Sequence, residues 1–190
     1  FPTRRSSDLG DYMRDYLMSY QFANNGSKHQ YTVDGFAQFD WNPTKYFNVI
    51  TGLRFDYYSD SDINHFSPKL GLMYKIGNCS LRGSYAGGFR APTLKEMYMN
   101  FDMASIFMIY GNPDLKPETS HNFSLSAEYM KGRYNLTVTG FYNVVDNRIT
   151  TAWSEALKGQ VYTNISNIRI SGAEANASVK YPCGLSARLS

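Results

Sequence analysis

Nothing in this 190-residue sequence approaches the roughly 18–20 consecutive apolar residues that a membrane-spanning helix needs. Cysteine is scarce. Cys79 and Cys183 are the only two, and no CxxC or Cys/His spacing surrounds them, which excludes a zinc module, a dithiol redox centre and a disulfide-stapled scaffold. The three histidines, His29, His65 and His121, show no metal-ligand spacing, and GxSxG or comparable nucleophile motifs are absent. No catalytic residue, resident metal or other cofactor is therefore expected, and the chain does not read as an enzyme. Charge is thin, +3 overall with no charged block, too weak for a nucleic-acid partner.

What is present is aromatic and alternating. Apolar residues make up 43 % and aromatics 16 %, with 16 Tyr and 12 Phe, yet mean hydropathy is only −0.42. That combination fits strands on which apolar and polar side chains take turns. From about residue 31, Val33, Gly35, Ala37, Phe39 and Trp41 alternate with Asp34, Gln38 and Asp40. Phe47, Val49, Leu53, Phe55 and Tyr57 oppose Asn48, Arg54 and Asp56, and Leu70, Leu72 and Tyr74 oppose Lys69 and Lys75. Leu81 and Tyr85 follow, then Phe123, Leu125, Ala127 and Tyr129, then Tyr134, Leu136, Val138, Tyr142 and Val144, each against a polar set. The last strand changes phase near Gly172, from Ile168 and Ile170 to Ala173, Ala175, Ala177, Val179 and Tyr181, which predicts a β-bulge.

The connections alternate in length. Short turns at Asn42–Lys45, Gly77–Asn78, Lys131–Arg133 and Tyr181–Gly184 exchange with longer loops at Ser59–Phe66, about 91–117 and about Asn147–Gln160. Barrels of outer membranes have short turns on one side and long loops on the other. Trp41, Phe47, Tyr74, Tyr129, Tyr134 and Tyr181 all lie on the apolar parity close to a short turn, as an interfacial aromatic girdle requires. Strand preference explains the number of aromatics but not this clustering. The fold class is therefore all-β, an antiparallel up-and-down transmembrane β-barrel segment forming an open curved sheet of about seven or eight strands. The opposite face, rich in Asn, Ser, Thr, Arg and Asp, would line a wet lumen, and the Asn-x-Ser/Thr matches at Asn122, Asn135 and Asn176 follow from that composition. Cys79 and Cys183 fall about four strands apart, ~19 Å at ~4.8 Å per strand, so they read as separate thiols.

The segment Ser84–Tyr98, which contains Gly88-Phe89-Arg90-Ala91-Pro92, resembles the "GFRAPTLxELY" motif of TonB-dependent receptors. Gly111-Asn112-Pro113, followed by Pro117-Glu118, resembles their "GNPxLxPE" motif, in the same order and spacing. The resemblance covers about residues 31–190. It implies a barrel of roughly 22 strands closed by a plug, located in the outer membrane of a Gram-negative bacterium. It further implies uptake of a scarce nutrient such as siderophore-bound iron, haem or a cobalamin-like ligand. The implied partners are outer-membrane lipid, the plug of the same full-length chain, that ligand, and TonB acting through an N-terminal TonB box. Residues 10–190 read as a partial barrel domain truncated at both ends. A passive porin is the alternative, and a plug encoded upstream would discriminate against it. Residues 1–9, Phe-Pro-Thr-Arg-Arg-Ser-Ser-Asp-Leu, back-translate to a common short-read sequencing adapter and are expected to be a translated artefact without function.

By strand parity Arg90 and Glu118 continue the lumen face from opposite ends of the long loop. They are expected to meet there as a structural pair at its base, with Pro92, Pro113 and Pro117 limiting the backbone where pairing ends. The loop itself is oddly apolar for an outer loop. Met97, Tyr98, Met99, Phe101, Phe107 and Tyr110 are candidates for an adaptable ligand grip, set against the plainer expectation that the loop folds on itself or its neighbours.

Overall fold

A computed structural model describes residues 3–18, 27–59, 62–181 and 185–190. The strands are β1 (Thr3–Met18), β2 (Ser27–Thr44), β3 (Phe47–Tyr58), β4 (Ile63–Ile76), β5 (Cys79–Arg90), β6 (Phe101–Met103), β7 (Phe107–Tyr110), β8 (Glu118–Lys131), β9 (Tyr134–Ser154), β10 (Gly159–Lys180) and β11 (Ser186–Leu189). A short helix, α1 (Leu94–Tyr98), opens the connection between β5 and β8. All eleven strands form one sheet in the order β1-β2-β3-β4-β5-β8-β9-β10-β7-β6, with β11 also on β10. Every neighbouring pair is antiparallel except β7 and β10.

The short turns close on Lys45–Tyr46, Gly77–Asn78 and Gly132–Arg133. Gly77 and Gly132 take φ of +57° and +58°, which a tight hairpin needs and a residue with a Cβ resists. Pro182, Cys183 and Gly184, and with them the expected last turn and second thiol, lie outside the described residues.

The outer ends depart from the alternation. β1 and the start of β2 are regular strands although their sequence carries no clean pattern. β9 continues to Ser154 and β10 begins at Gly159, so the expected loop at Asn147–Gln160 shrinks to Glu155–Lys158. Likewise β4 already starts at Ile63. Alternation reports what each face touches, not whether the backbone is paired. Above a bilayer both faces meet water or protein, so the pattern fades while the ladder continues.

The bulge expected at Gly172 is not there. Pairing runs Ile170↔Asn143, Ser171↔Tyr142, Gly172↔Phe141, Ala173↔Gly140 without a shift. The phase change is instead a change of surroundings, because Ile168 and Ile170 stay on the lumen parity above the membrane. Gly172 serves a different need. A Cβ there would stand 2.6 Å from Phe141 Cζ, so the glycine makes room for that ring across the strand pair.

Trp41, Tyr74, Tyr129, Tyr134 and Tyr181 project outward and exposed near the short turns, with Phe47 packed edge-on to Tyr74. A second belt, not foreseen, lies near the long connections: Tyr12, Tyr31, Tyr57, Phe66, Tyr85, Phe123 and Tyr142. The belts cross the register obliquely. Following the pairing from Trp41 gives Val49, Leu72, Gly83, Leu125 and Gly140 over five strand steps, yet the girdle residue on β9 is Tyr134, six residues below Gly140. At ~3.3 Å per residue and ~4.8 Å per strand, that drift is a strand tilt of about 40°. Transmembrane barrels tilt by roughly 35–45°. The eight residue steps from Tyr134 to Tyr142 then span roughly 20 Å of membrane, close to the ~25 Å apolar band of such barrels.

The band makes one prediction directly. Val138 is outward and midway between Tyr134 and Tyr142, so Val138→Arg in the full-length receptor should cost roughly 2–4 kcal/mol in refolding titrations into lipid vesicles. Thr137→Arg, one residue along on the lumen parity, should cost far less. β1 stands out against this band. Its outward positions opposite Trp41, Phe39 and Ala37 are Arg4, Ser6 and Asp8, where every other long strand presents mostly apolar or small residues.

Candidate functional site at the base of the long connection

Between β5 and β8 the chain leaves the wall, turns through α1, forms the β6–β7 hairpin and returns. Arg90 and Glu118 are register partners, the last pair of the β5–β8 ladder. Arg90 Nη1 donates to Glu118 Oε1 at 2.9 Å. Its other arm, Nη2, donates to Glu96 Oε1 on α1. Glu118 Oε1 also accepts from the Ile149 backbone N at 2.7 Å, which ties in β9. One guanidinium therefore joins strand, helix and returning strand, using the two-armed geometry that suits arginine better than lysine.

Glu96 was not expected at this position, although the sequence carries its signature. Thr93-Leu94-Lys95-Glu96 is a capping box, in which Thr93 Oγ1 accepts from Glu96 N at 3.3 Å and Glu96 Oε2 accepts from Thr93 N at 2.8 Å. The same carboxylate thus starts the helix and anchors it to Arg90.

The second motif lays its backbone against β10. Asn112 N donates to Glu96 O at 2.9 Å, and Asn112 Nδ2 donates to Tyr162 O at 2.9 Å. Asn164 Oδ1 accepts from Lys116 N, and its Nδ2 donates to Lys116 O, both at 2.8 Å. Gly111 sits where α1 ends. A Cβ there would be 2.8 Å from Met97 O and 2.9 Å from Met99 N. Gly88 is similarly restricted, since a Cβ would overlap Ser120 Oγ. Pro92 is wholly buried and Ala91 nearly so, whereas Phe89 stacks on His65 with centroids 4.3 Å apart. Pro113 and Pro117 flank Leu115, which packs with Leu94, Met97 and Ile149 into the one core cluster of the described residues.

The loop's apolar residues therefore divide. Met97 is 3 % exposed and faces this core, so it is withdrawn from any ligand. Tyr98 packs beside the same cluster with the Lys28 ammonium 4.1 Å from its ring centroid, and Met99 caps α1. Phe107 and Tyr110 are half-buried where β7 runs parallel to β10, Phe107 against Trp153, and Gly159 allows that approach. Phe101 is exposed together with Met103 and Ile106 at the hairpin tip. Among the described residues, no three His, Cys, Asp or Glu are arranged to hold a metal ion. His121 points outward and lies 2.9 Å from the Tyr85 hydroxyl in the upper belt.

A family model described as "TonB dependent receptor-like, beta-barrel" matches residues 3–190. The chain belongs to the TonB-dependent receptor β-barrel family. That family consists of transport receptors rather than enzymes or passive porins, and the sheet is a segment of outer-membrane barrel wall. The iron-regulated outer membrane virulence protein of Vibrio cholerae serotype O1 is 32 % identical over 161 residues, covering 76 % of this chain and 24 % of that protein. The probable TonB-dependent siderophore receptor PirA of Acinetobacter baumannii is 33 % identical over 117 residues, 54 % of this chain and 15 % of that one. The crystal structure of the siderophore receptor PirA from Pseudomonas aeruginosa superposes with a TM-score of 0.79 at 19 % identity, over 93 % of this chain and 33 % of that structure. This chain thus spans about a quarter of the length of the Vibrio relative.

Proposed function

We propose that the full-length protein is a TonB-dependent receptor for active uptake of a scarce nutrient, and that these residues build one side of its barrel and an outer loop. The observation that carries this is the way Arg90 ties α1, β8 and β9 together, so that a folded loop is mounted rigidly on the wall above the lumen. Siderophore-bound iron is the first ligand class to test, because the relatives are named for iron regulation and siderophores; haem and cobalamin-like ligands come next. The hairpin face of Phe101, with Phe107 and Tyr110 beneath it, supplies the apolar contact. The plug would sit against the polar face, which carries Arg54 bound to Asp56 at 2.7 Å and Arg82 bound to Glu128 at 2.8 Å. TonB would act through the TonB box of the full-length chain.

Uptake of ferric siderophores, haemin and cyanocobalamin by cells carrying the full-length gene tests this. One of them should accumulate against its gradient, and at least tenfold less when TonB is deleted. Uptake that ignores TonB and saturates only at millimolar solute would point to a porin and overturn the reading. Residues 1–9 are best explained as translated adapter sequence, given the polar residues that β1 turns toward lipid. Finding these nine codons in frame in the genome would refute that.

A further inference from the structure

From β2 onward, the short-turn rim carries charge of one sign on the side that faces lipid. Lys45 stands in the turn after β2, and Lys131 and Arg133 flank Gly132 in the turn between β8 and β9; all three are exposed. Lys75 and Lys180 fall on the lumen parity and do not belong to this face. The two acids at this end, Asp40 and Glu128, also face the lumen, where Asp40 accepts from Asn48 Nδ2 at 2.6 Å and Glu128 holds Arg82 at 2.8 Å. No outward acid therefore stands beside the three cations among the described residues. The opposite rim is mixed, with Asp102, Asp114 and Glu155 among Lys95, Lys116 and Lys158. Lys131 continues the outward parity of Tyr129. Arg133 starts on the lumen parity but is carried outward. Its guanidinium carbon lies 5.6 Å from the Tyr134 ring centroid and 5.8 Å from that of Tyr181, within cation–π reach of both exposed girdle rings. Among the described residues neither Lys131 nor Arg133 has a carboxylate partner.

We propose that Lys131 and Arg133 hold the phosphodiester of an anionic phospholipid in the periplasmic-side leaflet of the outer membrane. Short turns of such barrels lie on the periplasmic side, and girdle rings sit at headgroup depth. A cation laid over those rings is therefore placed at the phosphates, neither out in water nor down in hydrocarbon. The Arg133 fork donates to two phosphate oxygens, with Tyr134 and Tyr181 fixing its plane. Lys131, across Gly132, adds a second point charge to the same headgroup. Lys45, 4.9 Å from the Tyr46 ring centroid, repeats the arrangement four strand spacings away. That is ~19 Å at ~4.8 Å per strand, too far to share one headgroup. Each cation at an anionic membrane surface strengthens binding roughly fivefold, and salt screens the attraction. Only the wall and its short-turn side are needed for this, whichever ligand is imported.

The probe is dioleoyl phosphatidylglycerol, compared with dioleoyl phosphatidylcholine. Each is titrated into the purified, detergent-solubilised full-length receptor, and bound lipid is counted by native mass spectrometry. Phosphatidylglycerol should be retained at least fivefold more tightly. That preference should fall at least threefold between about 50 and 500 mM ammonium acetate. Lys131→Gln combined with Arg133→Gln should remove the tightest class of bound phosphatidylglycerol. Lys116→Gln combined with Lys158→Gln takes the same net charge from the outer connections and should leave the preference within twofold. Equal retention of the two lipids by the unsubstituted receptor would overturn the site and leave these turns to an acidic periplasmic partner. So would a preference that survives the loss of Lys131 and Arg133, or one that the outer pair abolishes equally, since that reports net charge alone. A preference insensitive to salt would overturn it without any variant, should the double variant fail to fold.

Discussion

Gly111→Val in the full-length receptor should release the outer connection from the wall while leaving the barrel folded. The new side chain would be driven into backbone at the end of α1, where even a Cβ meets Met97 O at 2.8 Å and Met99 N at 2.9 Å. Backbone cannot swing aside as a flexible side chain can, so the penalty is roughly 3 kcal/mol, the upper end for overpacking. Met97, Leu94 and Leu115 would lose their mutual burial in the same step. The readout is trypsin added to intact cells. Cleavage at Lys95 should accelerate by about a hundredfold if loop opening limits it, with heat-modifiable migration of the barrel unchanged. Equal protection of both proteins would show that the loop is not seated through Gly111.

Arg90→Ala is the second large effect. It leaves Glu96 and Glu118, with side chains only 13 % and 19 % exposed, facing each other with no cation between them. Removing one partner of a buried charge pair costs about 3–5 kcal/mol. Arg90 itself is 43 % exposed, which reduces the expectation here to about 2 kcal/mol. Arg90→Lys should recover little, because an ammonium cannot place two parallel arms on two carboxylates. Adding Glu96→Gln to Arg90→Ala should restore part of the loss by removing the like-charge contact. Such non-additivity in urea titrations of the full-length receptor, or in tryptic protection of the loop, separates a coupled hub from three independent lumen charges. Additive effects would favour the latter.

The wall was legible because a bilayer imposes a strong pattern. Each strand must show lipid an apolar side chain at every second position, and each short turn must return within a few residues. The strands from Val33 to Tyr181 and the lower girdle follow from those two demands. The outer third was not legible for the same reason in reverse. Above the membrane no face is obliged to be apolar, so β1, the upper halves of β9 and β10 and the small β6–β7 hairpin left little trace. Gly172 shows the resulting trap, since a change of surroundings along one strand looks in sequence like a slip of register.

The site divides along the same line. Arg90 and Glu118 can be placed on one face by counting residues, because period-two parity carries through a paired strand without error. Glu96 could not be placed that way. Its helix is a single turn, and only the packing of Leu94 and Met97 against Leu115 and Ile149 decides that its carboxylate faces Arg90. The same packing hides Met97 while leaving Phe101 exposed, a distinction that composition cannot make among neighbouring apolar residues.

The sequence by itself determined that this chain is a strand-built membrane wall, which residues of the strands from Val33 onward alternate toward lipid, and which charged pair closes the β5–β8 ladder. These follow from local periodicity and need no knowledge of distant contacts. Only the tertiary structure decided that the long loop folds back onto β10, that Arg90 serves two carboxylates at once, and that Met97 is buried while Phe101 stays exposed. Each of those brings together residues far apart in the chain, and such contacts are set by packing between elements, which no repeat within a single strand records.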